Sequence, residues 1–161
     1  MLFDTDVLSM LSKIGRLDLL RRTFPEVVFS ITFEVYTELL DAREAGYDFI
    51  DDILEQGFKV LHLDSDLIQM YERKSAGLKD LHAGEVTSIL LCKRSGMAFV
   101  TNDRRAKRYC EENGVEWLDI VDLLRLCYRK QVLAKQELEQ VIDAIEAKDR
   151  TRILRREEFF A

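Results

Sequence analysis

Four acids in this chain, Asp4, Glu38, Glu85 and Asp103, stand where carboxylates could work together. Asp103 follows MAFVT, residues 97–101, an apolar run without polar alternation, as expected of a strand buried on both faces. Asp4 follows MLF in the same way. In a parallel α/β sheet, ligands bind beyond the carboxyl ends of the strands. Two strands that each end in Asp would therefore bring two carboxylates to one rim. Glu85 falls in the first turn of a predicted helix. Glu38 falls in another, one turn from Glu34, which lies close enough on the helix to take its place. Asp80 is a minor further possibility near Glu85. Hard divalent cations such as Mg²⁺ or Mn²⁺ favour such oxygen donors, with water and substrate phosphate in the remaining positions. No softer site competes. His62 and His82 are the only histidines, and Cys92, Cys110 and Cys127 are far apart. Two carboxylates about 4 Å apart repel by roughly 4 kcal/mol at an effective dielectric of about 20. A cluster of them needs a cation or raised pKa values to persist. Taken singly, an acid at a strand end is more often a helix cap than a ligand; the argument rests on the four together.

The elements that must hold these acids follow from hydrophobic spacing. Residues 5–15, TDVLSMLSKIG, predict a helix capped by Thr5 or Asp6 and stopped by Gly15. A short helical run over 17–24 precedes a second strand at 27–30, VVFS. Thr32 caps a helix closed by Gly46, with Phe33, Tyr36, Leu39 and Leu40 as its apolar face. Further elements are a helix over 47–56, a third strand at 58–63 and a helix from Asp64 or Ser65 to about Ser75. Residues 81–95 predict the Glu85 helix, with Gly96 as its stop. Asn102 and Asp103 cap a helix opening with Arg104 and Arg105. A fifth strand, 115–118, leads to a helix capped by Asp119. Residues 136–148 form an amphipathic helix with Leu138, Val141, Ile142 and Ile145 on one stripe, and the tail carries an exposed-looking Phe159–Phe160 pair. Strands alternating with helices imply a parallel α/β sheet covered on both faces. The pattern does not give the strand order.

Composition bounds the function. The 161 residues suit one domain, and 47% hydrophobic with 34% charged residues suit a soluble globular protein. No apolar run reaches the roughly 20 residues of a membrane span, and the first strand leaves no room for a signal peptide. Widely spaced cysteines fit reduced thiols, so a cytoplasmic location is expected. A net charge of −6 argues against a general nucleic-acid binder. The basic residues are nevertheless clustered, at 104–108, at Arg125, Arg129 and Lys130, and at 150–156, which remains compatible with a phosphate-bearing substrate.

Four segments carry a resemblance: FDTDVLSML at 3–11, EVYTEL at 34–39, GEVTSILL at 84–91 and VTNDRRAKRY at 100–109. Together they resemble the PIN domain, most closely the stand-alone prokaryotic PIN proteins that include the VapC-type ribonuclease toxins. The likeness runs from Met1 to about Leu118. It implies a three-layer α/β/α fold with a sheet ordered 3-2-1-4-5, which puts Asp4 and Asp103 at the topological switch point. The C-terminal helices from about residue 119 would be an extension of this single domain. It implies Mg²⁺- or Mn²⁺-dependent cleavage of RNA by an endoribonuclease. Asp4, Glu38, Glu85 and Asp103 would be its catalytic acids and Asp4, Glu85 and Asp103 its metal ligands. Thr5 matches the hydroxyl residue that often follows the first Asp, and Thr5 and Asp6 would support the site from behind. Arg104 and Arg105 would hold substrate phosphate. The family's habits also imply a homodimer and, for a toxin, an antitoxin partner. The C-terminal stripe and the Phe pair would either close over the sheet or meet the second subunit. The chain departs from the family at Asp6, where Ser or Asn is more usual, and at Asn102, where some relatives carry a second Asp.

Two other readings compete. Asp4-Thr5-Asp6 is the Asp-x-Asp of a haloacid-dehalogenase-type phosphatase, but Leu8 stands where that class has Thr, and no late Lys or Asp-Asp motif follows. The other is a PIN-like fold retained as an inactive regulatory or binding module.

Overall fold

Five short apolar segments extend and pair: β1 (Leu2–Phe3), β2 (Ser30–Thr32), β3 (Lys59–Leu61), β4 (Phe99–Val100) and β5 (Trp117–Leu118). They form one parallel sheet ordered β3-β2-β1-β4-β5. The computed structural model describes residues 1–75, 82–149, 151–154 and 156–160. Its helices are α1 (Thr5–Lys13), α2 (Asp18–Thr23), α3 (Phe33–Glu44), α4 (Phe49–Leu54), α5 (Ser65–Ser75), α6 (Ala83–Ser95), α7 (Arg104–Asn113), α8 (Ile120–Arg129) and α9 (Lys135–Asp149), with a 3₁₀ turn at Arg156–Phe160.

Successive strand residues point to opposite faces of the sheet, and both faces are covered. Leu2 and Phe99 pack against Ile89 and Cys92 of α6 and Ala106 and Cys110 of α7. Their neighbours Phe3 and Val100 enter the main core with side chains from α1 to α4, α8 and α9. The result is a three-layer α/β/α architecture. Because β1 and β4 are neighbours in register, Leu2 with Phe99 and Phe3 with Val100, the residues after them meet at one rim. Gly96, at φ +68° after α6, supplies the left-handed turn that sends the chain into β4.

Several boundaries differ from expectation. The second strand is not 27–30 but Ser30–Thr32, three residues that are fully buried although two bear hydroxyls. Val28 is 65% exposed, because the backbone and not the apolar run selects the pairing: Ser30 N–H donates to Met1 O and Lys59 N–H to Phe29 O. α3 buries Val35 and Leu39 and packs Tyr36 and Ala42 against the core, with Phe33 outside this face. Asp4 itself caps α1, where Thr5 or Asp6 was expected, since its Oδ1 accepts the Thr5 N–H. The stripe Leu138, Val141, Ile142 and Ile145 is buried in the chain's own core, as is Phe159. Phe160 packs edge-on against Tyr128. Of the two expectations for this stripe and Phe159, the structure shows the first: they close over the chain's own core. Several residues of the basic clusters are paired within the chain: Lys107 with Asp119, Arg108 with Glu112, and Arg156 with Asp143 and Glu146. Among the described residues no helix is long and apolar enough to cross a membrane.

Candidate functional site

A cleft of about 480 Å³ opens at the carboxyl rim of β1 and β4, lined by Asp4, Thr5, Asp6, Glu38, His82, Glu85 and Asp103. The four acids singled out in the sequence all meet there. Glu34 does not: it accepts a hydrogen bond from the Thr87 hydroxyl (3.3 Å), outside the cleft. Asp80 lies outside the described residues. Arg104 and Arg105 are exposed in the first turn of α7, beside Asp103, without lining the cleft.

Each acid is held by local structure. Asp4 is buried; its Oδ1 takes the Thr5 N–H (2.8 Å) and its Oδ2 the Thr101 hydroxyl (3.0 Å). The Thr101 oxygen in turn accepts the Asp103 N–H (3.2 Å), so one fully buried hydroxyl ties the two strand-end acids together. Asp103 is also the N-cap of α7, its Oδ1 accepting from Arg105 and Ala106 N–H (2.7 and 2.9 Å). Glu85 sits in the first turn of α6, where Oε2 takes the His82 N–H (2.8 Å). Glu38 accepts the Thr5 hydroxyl on Oε2 (3.0 Å). Asp6 reaches across the rim to the Asn102 N–H (2.8 Å), and the Asn102 side chain accepts the Ile120 N–H (3.0 Å). Asp6 therefore pins the turn that carries Asp103. Both Asp6 oxygens are committed to backbone N–H groups, of Val7 and Asn102, which leaves it ill suited as the acid partner of an aspartyl nucleophile.

The electrostatics are those of charges crowded into a poorly hydrated place. Burial pushes the Asp4 carboxyl up to about 6, with Glu38 and Asp103 adding to the rise against the hydrogen bonds from Thr5 and Thr101. Burial and the neighbouring Asp4 push Asp6 up to about 7. Burial raises Glu85 to about 7, and the charges of Asp4 and Asp103 act in the same direction. An all-oxygen donor set whose charges are this costly suits a hard dication. Among the described residues, however, no group of three or more His, Cys, Asp or Glu side chains is posed to grip one ion as it stands. That is compatible with Mg²⁺, which is commonly held by one or two carboxylates and otherwise by water and phosphate.

Sequence reasoning missed three contributors. Thr101 looked like the end of a strand. His82 lines the cleft, and its position three residues before Glu85 was the available signal. Gly84 lets α6 approach α3: a Cβ there would stand 3.2 Å from Glu38 Oε1 and 3.2 Å from Val35 Cγ2. Gly84→Ala is accordingly expected to destabilise. Overpacking costs about 1–3 kcal/mol, against at most about 1 kcal/mol gained in helix propensity. Urea unfolding checks this, and an unchanged or higher midpoint would show that Glu38 and α3 yield freely.

Among curated proteins nothing matches this chain. A protein-family model described as a PIN domain matches residues 1–157, well past the residue 118 at which the resemblance by motif ended. That match over nearly the whole chain favours the PIN family over the phosphatase reading of Asp4-Thr5-Asp6. The chain belongs to the PIN-domain family, whose members are generally nucleases.

Proposed function

We propose that the protein is a Mg²⁺- or Mn²⁺-dependent endoribonuclease acting at the acid cleft. The observation that carries this reading is the convergence of Asp4, Glu38, Glu85 and Asp103 on one cleft at the rim of the two central strands, two of them buried. Asp4, Glu85 and Asp103 are the residues that would hold the cation. When bound, the cation supplies polarisation of the scissile phosphate and a lower pKa for a coordinated water. Thr5 keeps Glu38 turned toward the cleft, Thr101 holds Asp4 and the Asp103 backbone in register, and Asp6 anchors the Asp103 turn. Asp6 and Glu85 both stand at about 7, so at neutral pH the metal-free cleft holds protons that a bound dication would displace. Arg104 and Arg105 stand where the flanking phosphates of a strand crossing the cleft would pass.

Purified protein is expected to cleave single-stranded RNA when Mn²⁺ or Mg²⁺ is added and to stop when EDTA is present. Cleavage indifferent to EDTA would sink the metal-dependent reading. A toxin role with an antitoxin partner and a homodimeric state belong to the same proposal and rest on the family resemblance; a cytoplasmic location rests on the widely spaced cysteines. The second reading is a PIN-like binding module without activity. A thermal shift with Mn²⁺ alone separates the two, since a degenerate site would give none.

A further inference from the structure

We propose that Phe33 and His62 form a stacking platform for an unpaired base of the RNA, beside the acid cleft on the same rim. The inference rests on reading that cleft as a ribonuclease site. Thr32 and Leu61 are paired in register at the ends of β2 and β3, so the next residues, Phe33 and His62, emerge side by side. Their rings stack, with centroids 5.0 Å apart and planes 28° apart. Both residues are exposed, Phe33 by 48%. The core does not need this ring, because α3 buries Val35 and Leu39 instead. The aromatic residues of the two central strands, Phe3 and Phe99, are fully buried, whereas this pair faces solvent.

Position and charge select the occupant. β2 adjoins β1 and β3 lies beyond it; at a strand spacing of about 4.8 Å the pair sits roughly 7 Å along the rim from Asp4. On this side α3 presents Glu34 and Glu38, which repel phosphate. On the other side of the cleft α7 presents Arg104 and Arg105. A single strand crossing the cleft would lay its phosphates toward the arginines and a splayed base on the rings. Stacking on aromatic side chains is how unpaired bases are held without reading their edges, because every base has a π-face.

The test uses a fluorescein-labelled single-stranded RNA oligonucleotide in EDTA, with binding followed by anisotropy. Phe33→Ala should weaken binding about tenfold or more, the effect of losing one base–aromatic stack. Phe33→Trp should bind close to the parent, and thermal melts of both variants should match it. A set of oligonucleotides each lacking one base should reveal a position whose loss weakens the parent but not Phe33→Ala, a coupling that a merely structural residue would not show. In cleavage assays with Mn²⁺, Phe33→Ala should raise KM and leave kcat nearly unchanged. A parent that cleaves RNA, with Phe33→Ala equal to it in binding and KM, would overturn the platform and leave the ribonuclease standing. Binding that depends on Phe33 without any cleavage would do the reverse. No binding and no cleavage would remove both.

Discussion

Asp103→Asn is expected to lower RNA cleavage by orders of magnitude while leaving the metal-free fold as stable as the parent or more so. As a helix cap, Asp103 uses Oδ1 to accept from Arg105 and Ala106, and an Asn amide oxygen can do the same. If capping were its whole role, the substitution would be silent in every assay. Its charge, however, is among those that raise Asp4 and Glu85, so its removal relieves repulsion in the cleft. The response to metal should move the other way. Binding to the folded state contributes about 2.7 kcal/mol at a hundredfold excess over Kd, roughly 5–10 °C in Tm for a chain of this size. The mutant should lose most of that shift. Paired melts with and without Mn²⁺, together with cleavage rates, decide it. An undiminished Mn²⁺ shift in Asp103→Asn would remove Asp103 from the ligand set.

A second large effect is expected in the pH dependence of stability. In the folded protein Asp4 stands at about 6, and Asp6 and Glu85 at about 7, against ordinary values of 3.8 for Asp and 4.5 for Glu. Between those ordinary and raised values the folded state binds more protons than the unfolded one. Stability therefore falls as pH rises through that window, with the sign opposite to that of a salt-bridged carboxylate. Each tenfold difference in proton affinity between the folded and unfolded states is worth about 1.4 kcal/mol. The three acids share one crowded site, so their joint effect is on the order of a few kcal/mol. Metal should reverse the trend, because ligation requires deprotonated carboxylates and so strengthens as pH rises. The Tm of metal-free protein should thus drop between about pH 4.5 and about pH 7 relative to Glu85→Gln, while the Mn²⁺-induced rise in Tm grows over the same range. Using Glu85→Gln as the reference isolates the share of Glu85 and cancels the titration of the groups both proteins keep. A Mn²⁺ shift that does not vary with pH would mean that the buried acids are not the ligands.

Much of this protein could be read from its chain. Short apolar runs ending in Asp marked two buried strands and the rim to which Asp4 and Asp103 belong, because a strand buried on both faces needs an unbroken apolar run and ends where polarity resumes. Gly15, Gly46 and Gly96 marked helix stops, since each follows a helix with positive φ. Periodicity could not decide between Glu34 and Glu38. Helical spacing says which residues are neighbours on a helix but not which other element covers them. That choice was made by α6, which closes on α3 at Gly84, and by α1, whose Thr5 hydroxyl bonds Glu38. For the same reason Phe33 looked like core and lies in solvent, while Phe159 looked exposed and is buried under α8. The second strand was misplaced because pairing follows backbone hydrogen bonds, which buried Ser30 and Thr32 satisfy as well as valines would. The strand order came from family resemblance and not from the pattern, since hydrophobic spacing carries no information about which strand lies beside which. The linkage of Asp4 to Asp103 through Thr101 is a consequence of that order: it exists only because β1 and β4, far apart in sequence, are neighbours in the sheet.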